Sequence, residues 1–121
     1  AIYYNNYWLP AKCDKIDVFN SNLATAHFDC AVNTGTGEAA ILLQRAAKVK
    51  TDGIIGKQTL AACQSDPNIV LDELIARRNF YQLLIQRRPT LKVFWNNWNH
   101  RVVSLGNHLN VQLPPVASGS V

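Results

Sequence analysis

Asp29 is the ionisable residue whose surroundings in the sequence most constrain its chemistry. From Val18 to Asn33 the apolar residues Phe19, Leu23, Ala26, Ala31 and Val32, with Cys30 among them, spread too widely for one stripe, which predicts a helix buried nearly all round. A carboxylate on such a helix must meet a cation or amide donors, or take up a proton. Arg78 and Arg101 are the candidate cations. Arg78 is preferred, because it falls with Leu71, Leu74, Ile75, Tyr81 and Ile85 on one face of a long helix and needs a partner there itself. The two glutamates suit other work: Glu38 lies in the first turn of a helix, where a capping carboxylate meets the dipole, and Glu73 is read as exposed beside Asp72.

The other reactive side chains exclude more than they propose. His27, His100 and His108 form no His-x-x-x-His or Glu-adjacent pair, so no metal site and no cofactor is expected. Cys13, Cys30 and Cys63 are odd in number and lack metal-type spacing, which favours buried thiols over a disulfide framework. Twelve Lys and Arg against eight Asp and Glu leave a net charge of +4. Because these charges are scattered, they argue only weakly for nucleic acid, and a mildly basic surface suits other anionic polymers equally. No apolar run approaches the ~18 residues of a membrane span.

The elements that must position these groups follow from caps and periodicity. Tyr3 or Tyr4 and Tyr7 or Trp8 stand at helical spacing before Pro10, as the last turns of a helix whose beginning is expected upstream. Lys12 to Ile16 reads as a polar connection, with Asp17 capping the helix that carries Asp29. Asn33-Thr34-Gly35 predicts a helix end with Gly35 left-handed, and Thr36 then caps a helix from Gly37 to Lys48. In Asp52-Gly53-Ile54-Ile55-Gly56 the Asp-Gly pair turns the chain, and both isoleucines are expected in the core. Helices follow at Gln58–Gln64, from Asp66-Pro67 to Arg88, and at Thr90–Leu109, and a tail runs beyond Pro114-Pro115. No segment has strict period-2 alternation, so the chain is expected to be all-α with five or six helices. With 121 residues and 48% hydrophobic content, one core is expected.

Several of these stretches carry a family resemblance. Phe28-Asp29-x-x-Val32-Asn33-Thr34-Gly35, Leu43-Gln44-x-Ala46, Asp52-Gly53-x-x-Gly56-x-x-Thr59 with Ala62, Arg78-Asn79-Phe80-Tyr81, and Phe94 through Trp98-Asn99-His100-Arg101 occur in the order found in the predicted peptidoglycan-binding domain of glycoside hydrolase family 108 muramidases. Tyr3 to Pro10 resembles the aromatic segment that closes the family's catalytic region. The resemblance spans about residues 1 to 109. The family's general acid, a glutamate in a Glu-Gly-Gly-Tyr-like motif, has no counterpart in this sequence.

The resemblance implies a lysozyme-like helical domain, incomplete at its N-terminus. It divides the chain into the end of a catalytic region (1–26), a peptidoglycan-binding helical domain (27–109) and a tail (110–121). It implies binding to peptidoglycan glycan strands and, in the intact parent protein, hydrolysis of the N-acetylmuramic acid to N-acetylglucosamine linkage. The alternatives are a non-catalytic wall-binding module and a helical protein-interaction domain. Ligand contact is expected at Asn33, Thr34 and Gly35, with Tyr7 and Trp8 as aromatic platforms and Asp29 lining the cleft. No catalytic residue is assigned. An apolar face formed by Leu23, Val32 and the Tyr3 to Trp8 aromatics is expected to stay open and to drive self-association. The implied location is the cell wall, reached by release from the cytoplasm or by export with a leader outside this chain.

Overall fold

The computed structural model describes residues 2–116, so the last part of the expected tail, from 117 on, lies outside the described residues. A π-helical turn (Tyr4–Trp8) leads into α1 (Cys13–Asp17), α2 (Ser21–Thr34), α3 (Thr36–Ala47), α4 (Lys57–Ser65) and α5 (Ile69–Arg87). A 3-10 turn (Pro89–Phe94) precedes α6 (Trp95–His108). No strand occurs among the described residues, as the absence of period-2 alternation requires. Helix α2 is packed by α1, α3 and α5, and α6 lies along α5.

Two apolar clusters hold these helices together. One gathers Cys13, Ile16, Leu23, Cys30, Leu42, Leu43, Cys63 and Ile69 between α1 and α5. The other joins α5 to α6 through Leu74, Tyr81, Val102, Leu109 and Leu113. Each fully buried large aliphatic side chain contributes about 1.5–3 kcal/mol. The burial of Leu23 removes it from the expected open face, and Val32 is half-buried there, whereas Tyr3 and Tyr4 remain exposed.

The helix boundaries depart from expectation where side chains compete to cap. The stretch read as a polar connection is helix α1, because Cys13 and Ile16 are both buried and hold a single turn in place. Asp17 therefore ends α1. Asn20 caps α2 instead, its Oδ1 accepting from the Leu23 amide at 2.9 Å. Thr36 is the first residue of α3, and the cap is Gly35, which makes no side-chain bond. Gly35 has φ 93° and ψ 153°, an extended positive-φ conformation open essentially to glycine alone and different from the left-handed helical one expected. One residue thus closes α2 and opens α3. Lys48 takes the left-handed position at the end of α3, with the Val49 amide donating to the Gln44 carbonyl.

The Asp52-Gly53 turn is organised from inside by Gln44, which is buried. Its Nε2 donates to Asp52 Oδ1 and the Ile54 carbonyl, both at 2.9 Å, and its Oε1 accepts from the Gly53 amide at 2.9 Å. Ile55 enters the core, while Ile54 is 72% exposed, so only one of the two isoleucines plugs it. Asp66 Oδ1 accepts from the Asn68 amide at 2.8 Å, and that turn leaves Pro67 outside α5. The single last helix expected from Thr90 is a 3-10 turn followed by α6. The tail also begins later than residue 110: Val111 donates to the Gly106 carbonyl, Leu113 is buried, and Arg78 donates to the Pro114 carbonyl at 2.7 Å.

Candidate functional site

Two charged pairs tie α5 to α2, and the sequence reading placed both differently. Glu73 and Arg77 stand one turn apart on α5 and both point inward. Arg77 Nη1 donates to Asp29 Oδ2 at 2.6 Å and its Nε to the Tyr81 hydroxyl at 2.9 Å. Arg78, the partner expected for Asp29, turns instead to the Pro114 carbonyl, because the next helical residue lies about 100° further round. Glu73 is 1% exposed, against the expected surface position, and its Oε2 lies 2.6 Å from His27 Nδ1. His27 Nε2 donates to the Ala11 carbonyl at 3.1 Å, so the ring is held between Glu73 and the chain just before α1.

Arg101 completes the Asp29 site from α6. Its Nη2 donates to Asp29 Oδ1 at 2.6 Å and its Nε to Oδ2 at 3.2 Å, a bidentate grip on a carboxylate that also receives Arg77. Burial pushes the Asp29 carboxyl up, but the Arg101 hydrogen bond and the Arg77 charge and hydrogen bond outweigh it and hold the group below the usual carboxylate value. Asp29 is therefore a fixed anion. It is no proton donor at neutral pH.

Asp29 also lines a groove of about 690 Å³ between α2 and α6. From α2 come Asp29 and Asn33, one turn apart; Asn33 Nδ2 donates back to the Asp29 carbonyl at 2.8 Å. From α6 come Asn97, His100, Arg101, Ser104 and His108, at steps of three or four that set them along one face, with Trp98 and Leu105 beside them. The run from 97 to 108 is about 16 Å of helix. Trp98 has rings stacked on it by the protein itself, Tyr81 at 4.7 Å and Phe94 at 5.6 Å.

Of the residues expected at the site, the structure brings Asp29 and Asn33 together in this groove. Thr34 instead donates its hydroxyl to the Cys30 carbonyl at 2.8 Å, and Gly35 forms the helix joint. Tyr7 and Trp8 are half-buried away from the groove lining, Tyr7 against Tyr3 and Trp8 edge-on against Phe28 at 5.5 Å. The α6 side was missed. Its signal was the polar spacing 97, 101, 104 and 108 opposite the buried Val102 and Gly106.

No group of three or more His, Cys, Asp or Glu placed to hold a metal occurs among the described residues. The three cysteines are free and buried, and burial first, then the Glu73 charge, pushes the Cys13, Cys30 and Cys63 thiols up to about 12. Such thiols are poor nucleophiles and poor ligands.

Known proteins place these elements in context. Residues 38–103, more than half of the chain, match the family described as Predicted Peptidoglycan domain. Residues 1–35 match the family described as Glycosyl hydrolase 108. Among solved structures the chain resembles Brucella abortus SagA, at 26% identity and a TM-score of 0.73, over 90% of this chain and 60% of that one. It thus spans less than two thirds of that neighbour's length. No curated protein matches it. Asp29 lies in the first matched segment and Arg77 and Arg101 in the second, so the ion network and the groove join the two.

Proposed function

The chain belongs to the predicted peptidoglycan domain family, and on that premise we propose that it binds bacterial cell-wall peptidoglycan through the groove between α2 and α6. The observation that carries this site is its position: a cleft of about 690 Å³ lies where the two family-matched segments meet, lined by residues of both. In the longer protein we propose hydrolysis of the N-acetylmuramic acid to N-acetylglucosamine linkage, with action at the wall. These residues supply binding. The one carboxylate in the groove is Asp29, held ionised by two guanidinium groups, whereas glycoside hydrolysis needs a protonated carboxyl beside the leaving oxygen. Glu73 is sealed against His27. Among the described residues we therefore assign no general acid.

Co-sedimentation with purified sacculi tests the binding. Retention of the chain in the pellet at low salt supports it; a chain left in the supernatant overturns it. A second contact belongs to the same reading: Ile2, Tyr3, Tyr4 and Leu9 are exposed, and their apolar surface supports self-association through the N-terminal turn. Sedimentation velocity at micromolar concentration decides that point. A monomer throughout sinks it.

A further inference from the structure

The groove holds more positive charge than it neutralises. Arg77 and Arg101 share the single Asp29 carboxylate, and no other acidic side chain among the described residues lines the cleft. The three groups together carry one unit of positive charge in excess, and Arg101 is the arginine that lines the cleft. Arg77 is fully buried, and its Nη2 has no hydrogen-bond partner among the described residues. The Arg101 side chain is 52% exposed, so part of the surplus faces solvent. His100, Ser104 and His108 add further donors along the same wall.

The aromatic part of the groove argues against a sugar platform. A pyranose needs an open ring face to stack on, and the Trp98 ring already carries Tyr81 and Phe94 at interplanar angles of 21° and 26°. What the groove offers is fixed positive charge and hydrogen-bond donors. Guanidinium groups recognise carboxylates by charge-assisted hydrogen bonds. In peptidoglycan, carboxylates are concentrated on the peptide stems.

We propose that the α2–α6 groove recognises the carboxylates of the peptidoglycan peptide stem, anchored by Arg101, which lines the groove and whose charge Asp29, already paired with the buried Arg77, does not fully neutralise. This rests on the peptidoglycan reading and names the part of the polymer that is held. The groove discriminates by charge, so binding weakens as salt rises, and a neutral chitooligosaccharide does not compete.

The test titrates the ¹⁵N-labelled chain with three probes: the stem tetrapeptide as free acid, the same peptide with its carboxylates amidated, and chitotetraose. The free acid is expected to shift amides from Asn97 to His108, and amidation to weaken it about tenfold or more. The variant Ser104→Asp puts an anion on an exposed wall position without touching the core, and should weaken the free acid by a similar factor while the spectrum stays folded. Equal binding of free and amidated peptide, groove shifts with chitotetraose, or an unaffected Ser104→Asp would overturn the proposal while leaving wall binding intact. Failure to pellet with sacculi would overturn the underlying reading as well.

Discussion

Asp29 on α2 accepts from both Arg77 and Arg101, each at 2.6 Å, so one carboxylate ties α2 to α5 and to α6 across separations of 48 and 72 residues. An arginine left in the core without it keeps the desolvation cost and loses the attraction.

Replacing Arg77 with Leu should therefore destabilise the fold by about 3–5 kcal/mol, and Asp29→Asn by a comparable amount. The double variant should cost clearly less than the sum, because each single change strands a charge that the pair neutralises. Arg78→Leu serves as the contrast, since Arg78 has only the Pro114 carbonyl to lose. Urea melts of the four proteins measure the coupling; strict additivity of Asp29 and Arg77 would rule the pairing out.

Gly35 and Gly37 separate conformational need from space. A Cβ at either position meets nothing within 4 Å, yet only Gly35 has positive φ. Gly35→Ala should cost about 1–3 kcal/mol. Gly37→Ala, in the first turn of α3, should leave stability unchanged or raise it by about 0.4–1 kcal/mol. Thermal melts showing the two variants alike would refute the assigned role of Gly35.

Asp72 gives the fold a pH dependence opposite to that of Asp29. Burial, then the hydrogen bond and charge of Asp66, raise its carboxyl to about 6, with Lys48 opposing. The native state thus holds a proton that the unfolded state has released, and this contribution to stability falls as pH rises from about 4 to 6. Asp29, lowered, contributes stability above the ordinary carboxylate value that is lost as pH falls below it. In Asp72→Asn the decline between pH 4 and 6 should disappear, which denaturant melts across that range will show; an unchanged slope assigns the effect elsewhere.

Gln44 should govern the 50–56 loop as a unit. Truncation to Ala removes the bonds to Asp52, Gly53, Ile54 and Thr59 together, at about 2–3 kcal/mol. The Gly53 and Ile54 amides should exchange with solvent faster in Gln44→Ala. Protection retained at both would mean that the backbone holds the loop by itself.

What could be read from the sequence follows the reach of each force. Helical periodicity acts within a few residues, and it placed α2, the long helix and the all-α class. It also marked Asp29 as a carboxylate in need of cations and named Arg101 among them. Arg77 was not among the candidate cations: it and Arg78 are both buried, and what separates them is a contact to α2 that no local pattern encodes. The i, i+4 relation of Glu73 to Arg77 was a usable clue, hidden by the adjacent Asp72. His27 and Glu73 lie 46 residues apart, so their pairing exists only once α2 is laid on α5. The groove was half visible for the same reason: Asp29 and Asn33 belong to one helix, and its other wall arrives from α6.

The three buried thiols turn the protein into its own clock. A thiol reagent attacks thiolate, and in the folded state burial denies it both the ionised form and the approach. Cys13, Cys30 and Cys63 come from α1, α2 and α4 but share one apolar cluster, so exposing them requires that cluster to open. Labelling with an excess of reagent should then modify all three in a single concerted phase whose rate is the opening rate of the core. It should proceed at the same pace whether the protein came from a reducing or an oxidising compartment.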